Sequence, residues 1–179
     1  TFGKAMGNGY PISCIVGRTD VMHTFDDVFV SFTFAGDTSA MAASMAVLDI
    51  LENTDAYLRM ESAGKRLSDG ARALAAQAGL GDRFQMLGHH NWSLMRFLNA
   101  DGADDPVLKT AWTQEVTRRG VLVLATHNIC AALDNEAVEA ILRAYAEAFK
   151  RVGTLVANGA DLAAELDGPV PTPAFRARG

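Results

Sequence analysis

A long amphipathic stretch at residues 57–78 constrains the fold of this chain most. Leu58, Leu67 and Leu74 recur near the helical spacing, charged side chains lie between them, and Gly79 follows as a signal for the end of a helix. The pattern predicts one long amphipathic helix, the longest element of the chain.

The segments after this helix alternate between strand and helix patterns. Residues 83–88 and 92–98 are candidate strands, joined by a His89-His90-Asn91 turn. We expect three further elements, a helix ended by Gly120, a buried strand and a final helix, at residues 106–119, 121–125 and 135–156. The connections are short, which is typical of an α/β or α+β arrangement.

The opening of the chain is a glycine-rich loop, followed by a predicted buried strand at residues 12–16. A helical turn is expected at residues 20–22 and a strand or extended segment at 28–34. Ser39 is a candidate N-cap for the next helix. Because the sequence MAASMAVLDIL is apolar nearly all round, that helix is predicted to lie buried between layers.

The composition is that of a soluble globular protein, with 49% hydrophobic residues, 21% charged residues and a net charge of -5. No dense basic block is present, which argues against nucleic-acid binding. Two cysteines, Cys14 and Cys130, favour neither a disulfide framework nor a structural zinc site, and this fits a cytoplasmic protein. No apolar run reaches the roughly 20 residues of a membrane helix, so no membrane span is predicted.

Lys4 is the strongest candidate for chemistry. The phosphate-binding and dinucleotide-binding glycine motifs both fail here, because Lys4 is not followed by a hydroxyl residue and a third glycine is missing. The four histidines form no metal motif and are interpreted as surface or turn residues. A lysine in a glycine loop suits covalent carbonyl chemistry, although on spacing alone an ordinary loop lysine is the commoner case.

Three segments together resemble one enzyme family. They are TFGKAMGNGYPISCIVGR at residues 1–18, TFAGD at 33–37 and RGVLVLATHN at 119–128. The first resembles the segment around the cofactor lysine of class III aminotransferases, particularly those similar to glutamate-1-semialdehyde aminomutase. The other two are similar to a turn before a helix and to a strand and turn in the same family, in the same order.

The resemblance implies a fold of the α/β class, the C-terminal portion of a fold-type I pyridoxal-phosphate enzyme. Residues 1–54 would end the large cofactor domain, residues 55–157 would form an α+β small domain, and residues 158–179 would be a tail. The prolines of the tail, Pro169, Pro171 and Pro173, predict loose order there.

The resemblance also implies roles for individual residues. Lys4 matches the lysine that holds pyridoxal 5'-phosphate as a Schiff base and then moves a proton between two carbons. Thr33 matches a threonine that reaches the cofactor phosphate of the neighbouring subunit, which implies a homodimer with shared active sites. Arg96 is a candidate for binding a substrate carboxylate, and a surface ion pair is the alternative.

The implied reaction is transfer of an amino group between an amine or amino acid and a carbonyl compound. An aminomutase of the glutamate-1-semialdehyde type and a non-catalytic relative remain as alternatives. Asp37, Thr38 and residues 131–133 depart from the family pattern, which leaves the substrate class open. The family's phosphate loop, ring-stacking aromatic and ring-nitrogen aspartate lie upstream of the lysine, so these 179 residues alone are expected to be inactive.

Overall fold

The structure, a computed structural model, describes residues 1–172. It divides into two compact units, the first spanning Thr1–Tyr57 and the second beginning at Leu58. Within the described residues, no helix is both long and apolar enough to cross a membrane.

The first unit contains two α-helices, α1 (Thr19–Met22) and α2 (Thr38–Asn53). The predicted helical turn at 20–22 is therefore confirmed. The predicted N-cap of α2 was wrong by two residues, because Asp37 caps the helix: its Oδ1 accepts hydrogen bonds from the backbone N–H groups of Ser39 and Ala40. A carboxylate at this position also interacts favourably with the helix dipole.

Neither predicted strand of the first unit forms in the structure. At residues 12–16 the only ladder contact is a single bridge between Cys14 and Phe2, and residues 28–34 carry no strand. Ile15 and Val16 are 48% and 61% exposed, so the apolar run is not buried as expected. A strand needs neighbours to pair its backbone groups, and the first unit provides only Phe2 for this purpose.

Helix α2 was predicted to lie buried between layers, and within the first unit it does not. Only Ala40 and Ser44 of the helix are buried, whereas Met45 is 71% exposed and Leu48 is 54% exposed. Phe29 is 95% exposed in the segment before the helix. The first unit thus presents much apolar surface to solvent.

Three long helices, α3 (Ala56–Gln77), α4 (Pro106–Arg118) and α5 (Asn135–Ala157), match the predicted helices within two residues at each end. Gly79 and Gly120 follow α3 and α4 with φ values of +74° and +82°, as the C-terminal signals predicted. The N-terminal caps of α4 and α5 are carboxylates. Asp105 accepts from Leu108 N, and Asp134 accepts from Ala137 N, each at 2.8 Å.

A three-stranded antiparallel sheet in the order β1-β2-β3 packs with these helices. The strands are β1 (Phe84–His89), β2 (Trp92–Phe97) and β3 (Thr126–Asn128). His89 pairs with Trp92, so the predicted hairpin is confirmed with His90 and Asn91 at its tip.

The third strand lies one segment later than predicted. Residues 121–123 carry no strand, residues 124 and 125 form a bend, and the expected connection at 126–128 is itself the strand β3. Ala125, with a φ of +57°, separates the two, because a left-handed residue cannot continue a strand.

An aromatic cluster forms the core of the second unit. Trp112 of α4 contacts Tyr145 of α5 with ring centroids 4.9 Å apart, and Phe84 and Phe97 meet edge-on at 5.2 Å. Trp112, Tyr145 and Phe149 are at most 1% exposed. Burial of such side chains contributes on the order of 2 kcal/mol each, so this cluster dominates the stability of the unit.

Part of the predicted tail is ordered against the second unit. Leu162 and Leu166 pack against the aromatic core. Gln114 of α4 donates to the backbone oxygen of Glu165 and accepts from the backbone N–H of Asp167. The prediction of loose order was therefore wrong for residues 161–167, and Pro173 lies outside the described residues.

Candidate functional site

The loop that carries Lys4 is closed at its base by two backbone hydrogen bonds. Phe2 N donates to Cys14 O at 2.8 Å, and Cys14 N donates to Phe2 O at 2.9 Å. Inside this closed loop, Lys4–Met6 forms one turn of 3-10 helix. The backbone of Lys4 has a φ of +51°, a conformation that residues with a Cβ rarely adopt, so the lysine is held in a strained backbone.

Glycine is required at position 7 for this loop to close. A Cβ on Gly7 would overlap the carbonyl oxygen of Tyr10 and would lie 2.6 Å from Ile12 Cγ2. Gly7 N also donates to Lys4 O at 3.1 Å, which ties the two residues together. The glycine-rich sequence is thus explained by backbone packing that fixes the direction of the Lys4 turn.

The Lys4 side chain is exposed in this structure and makes no hydrogen bond or ion pair with any of residues 1–172. It lines an open depression of about 490 Å³ together with Asn8, Tyr10 and Pro11 of the same loop. An exposed primary amine without a carboxylate partner is available to a ligand. The first unit therefore offers one lysine amine on a rigid turn.

Thr33 lies in a turn immediately before α2, and its side chain is exposed. Ala35 N donates to Phe32 O at 3.0 Å, and Asp37 N donates to Phe34 O at 3.1 Å, so the turn leads directly into the helix cap. No hydrogen bond connects Thr33 to Lys4 within the described part of the chain. Each of the two predicted site residues is thus presented on its own turn.

Arg96 forms the surface ion pair that was the alternative for it. Its Nε lies 2.6 Å from Asp104 Oδ1, and the side chain is 42% exposed. Arg96 is therefore engaged within the second unit in this structure.

The interpretation of all histidines as surface or turn residues was wrong for His127. This side chain is only 6% exposed, with its Nδ1 3.0 Å from Ser93 Oγ and its Nε2 2.9 Å from the Tyr145 hydroxyl. Burial lowers the pKa of His127 to about 4. No pattern in the sequence of residues 121–128 marked this histidine as inward, because its burial depends on Ser93 and Tyr145, which are distant in sequence.

Metal chemistry finds no support in the arrangement of side chains. Residues 1–172 contain no group of three or more histidine, cysteine, aspartate or glutamate side chains that could hold a metal ion. Cys14 and Cys130 are both free thiols.

The chain matches the family model of the class III aminotransferases over residues 1–149. It belongs to the class III aminotransferases. Lys4 and Thr33 both lie inside the matched range, as do all the strands and most of α5.

Curated relatives of this class III chain include proteins named as aminomutases and one named as an aminotransferase. It is 41% identical over 80 residues to glutamate-1-semialdehyde 2,1-aminomutase of Halobacterium salinarum, which covers 43% of this chain and 18% of the relative. It is 35% identical over 77 residues to 5-aminovalerate aminotransferase DavT of Pseudomonas aeruginosa, again with 43% and 18% covered. The matched segments thus span about a fifth of the length of these relatives.

Two solved structures share the fold of this class III chain. The internal aldimine form, with PLP, of the FumI protein of Sphingopyxis sp. MTA144 has a TM-score of 0.73 and 28% identity over 85% of this chain and 36% of that one. An omega-transaminase from Sphaerobacter thermophilus has a TM-score of 0.68 at 18% identity, covering 82% and 37%. The predicted fold class, the end of a fold-type I large domain followed by an α+β small domain, is confirmed.

Proposed function

We propose that this chain is part of a pyridoxal-phosphate-dependent aminotransferase in which Lys4 carries the cofactor. The observation that carries the proposal is the class III match over residues 1–149, which includes Lys4 on its closed glycine loop. The reaction is transfer of an amino group between an amine or amino acid and a carbonyl compound.

The residues present fit the cofactor at two points. Lys4 supplies an exposed primary amine without a carboxylate partner in the described chain, as capture of an aldehyde requires. Thr33 supplies an exposed hydroxyl on a turn, a group that donates a hydrogen bond to a phosphate. When bound, pyridoxal phosphate supplies the aldehyde and an electron-withdrawing ring.

Lys4 has two roles in this proposal. Its Nζ would hold the cofactor covalently, and as a free amine it would take a proton from one carbon and return it to another. The strained turn fixes the backbone position from which the side chain extends, because the Phe2–Cys14 bonds and the close packing at Gly7 limit movement of the loop.

Borohydride reduction of the full-length protein loaded with pyridoxal phosphate tests the assignment of Lys4. We expect the visible absorption of the bound cofactor to disappear and peptide mapping to place the label on Lys4. Lys4→Arg keeps the charge but cannot form the bond, so it should remove both absorption and label. Lys109→Arg, at an exposed position of α4, serves as the matched control.

Other outcomes of this experiment decide against the assignment. Label on Lys109 with none on Lys4 would show that another lysine carries the cofactor. A protein that binds no pyridoxal phosphate, with a folded circular dichroism spectrum, would support the non-catalytic relative.

We further propose a cytoplasmic homodimer in which Thr33 reaches the cofactor phosphate bound to the neighbouring subunit. The exposed apolar side chains of the first unit are consistent with burial against the rest of the large domain and a second subunit, because this chain spans only about a third of the matched structures. We also propose that residues 1–54 end the large domain, that residues 55–157 form the small domain, and that residues 158–179 form the tail.

Mixed dimers test the shared site. Lys4→Ala and Thr33→Ala subunits should each be weakly active or inactive as homodimers. Random exchange in a two-fold dimer would give half hybrids with one intact site each, and so restore about a quarter of wild-type activity. If activity is not restored although subunit exchange is confirmed, Thr33 belongs to its own subunit's site or to no site.

The aminomutase reaction is a second candidate, favoured by the 41% identity to the Halobacterium salinarum aminomutase over 80 residues. Product analysis with labelled amino nitrogen separates the two. A transaminase passes the label to an added keto acceptor, whereas a mutase retains it within one molecule.

A further inference from the structure

Hydrogen bonds join three buried polar side chains of the second unit into one continuous network. Ser93 Oγ lies 3.0 Å from His127 Nδ1, and His127 Nε2 lies 2.9 Å from the hydroxyl of Tyr145. The three residues are 2%, 6% and 1% exposed. Because the three residues belong to β2, β3 and α5, this network connects the short strand β3 to its neighbouring strand and to the final helix.

The hydrogen bonds of this network have a preferred direction, because the hydroxyls at its two ends differ in acidity. A phenol is more acidic than an alcohol, so Tyr145 is the stronger donor and His127 Nε2 is its acceptor. A neutral imidazole then carries its proton on Nδ1, where it donates to Ser93 Oγ. Burial keeps the ring neutral, since it lowers the pKa of His127 to about 4 and raises the pKa of the Tyr145 hydroxyl.

The strand held by this chain begins at a strained residue. Ala125 is buried, and its φ of +57° is a conformation that residues with a Cβ avoid. Strand β3 has only three residues, so its ladder provides few hydrogen bonds to hold that strain. Strained backbone persists only where the surrounding structure fixes it. Ala125 O accepts a hydrogen bond from Met95 N at 2.8 Å, and the buried polar network adds a second attachment two residues later, at His127.

We propose that Tyr145, His127 and Ser93 form a lock that holds His127 in its Nδ1–H form and keeps β3 in place directly after the strained Ala125. Opening of the lock releases β3 while the aromatic core stays folded. His127 is thus a positioning residue for β3.

The lock also determines which side chains β3 presents outward. Side chains alternate along a strand, so the inward direction of His127 places Thr126 and Asn128 on the other face of the sheet. On that face they pair in register with Leu94 and Trp92, which are 39% and 58% exposed. Release of the lock would let this face rearrange.

The tautomer is the first test, because a merely space-filling histidine has no reason to adopt the less common form. In the full chain with ¹⁵N-labelled histidine, we expect the His127 Nδ1 to be protonated and its Nε2 to be unprotonated at neutral pH. The exposed His23 and His89 provide internal references, and a His127→Gln spectrum assigns the signal. A proton on Nε2 overturns the direction of the lock.

Amide hydrogen exchange tests whether the lock keeps β3 in place. Tyr145→Phe removes one hydroxyl and retains the ring, so we expect exchange of residues 126–129 to accelerate about tenfold, as loss of one buried hydrogen bond implies. Amides of α4 around Val116 should be unchanged. Tyr57→Phe, at a tyrosine that is 46% exposed, is the matched control.

If Tyr145→Phe fails to fold, Ser93→Ala provides a second test. It removes the hydroxyl at the other end of the network, on β2. It should raise exchange in the same residues. Equal acceleration in β3 and α4 would show a general loss of stability and overturn the lock, as would no change in either variant.

Discussion

Lys4 and His127 owe their different properties to their surroundings. Lys4 is exposed on a turn whose backbone is fixed by close packing at Gly7. Its amine is therefore accessible, while its backbone position is fixed. His127 is 6% exposed between two hydroxyls, and its ring is consequently held neutral. Exposure leaves the first side chain accessible, and burial between two hydroxyls fixes the second.

The neutral His127 predicts a loss of stability in acid. Its pKa is about 4 when folded and 6.5 in the unfolded chain, so between these values the unfolded state binds more protons. Stability is complete above pH 6.5, falls as the pH is lowered through this window, and levels off below pH 4. The total loss is about 3 kcal/mol, from a shift of about 2.5 units at 1.36 kcal/mol each.

Urea unfolding of the wild type and of His127→Gln, each at pH 7 and at pH 4.5, measures this contribution. The wild type should lose about 2–3 kcal/mol more than the variant between the two values. Equal losses would mean that His127 is already charged, or equally solvated, in the folded state.

At the level of elements, close backbone contacts decide how the hairpin meets the helices. Gly64 of α3 faces the hairpin tip, where a Cβ would overlap the backbone carbonyl of His90. Gly153 of α5 similarly faces the carbonyl of Ala78, just after α3. The missing side chains at these two glycines let the second unit pack its helices and hairpin closely.

Gly64→Ala should therefore destabilise the second unit although alanine is the better helix former. A clash with fixed backbone costs about 1–3 kcal/mol, which exceeds the gain of about 1 kcal/mol in helix propensity. Gly70→Ala in the same helix is the control, because its Cβ would meet only the flexible end of Leu142. Thermal unfolding of both variants compares them, and equal midpoints would contradict the contact at His90.

At the level of the whole molecule, the two units differ in how completely they bury their apolar residues. The second unit encloses an aromatic core, whereas the first leaves Phe29, Phe32 and Met45 largely exposed. The end of the chain contributes to this difference, because residues 161–167 cover part of the core of the second unit.

Truncation after Asn158 should destabilise the second unit. It removes the packing of Leu162 and Leu166 and the ion pair between Arg118 and Asp167, for an expected loss of about 2–4 kcal/mol. A truncation after Thr172 keeps every one of these contacts and serves as the control. Chemical denaturation compares the two, and equal stabilities would show that the segment adds nothing.

The sequence by itself determined the helices, the hairpin and the residue proposed to react. Periodicity over many residues and glycine stops are local signals, and they placed α3, α4 and α5 within two residues. The motif around Lys4 also indicated the enzyme family, which the match over residues 1–149 shows. These properties depend on neighbours in the chain, so they are readable without a fold.

Only the tertiary structure decided where strands pair and which polar side chains are buried. The predicted strands at 12–16 and 28–34 lack partners in the first unit, and β3 begins after the left-handed Ala125. His127 is buried because β2 and α5 bring hydroxyls to both of its nitrogens. Strand pairing and burial depend on residues distant in sequence, and for that reason no local pattern specified them.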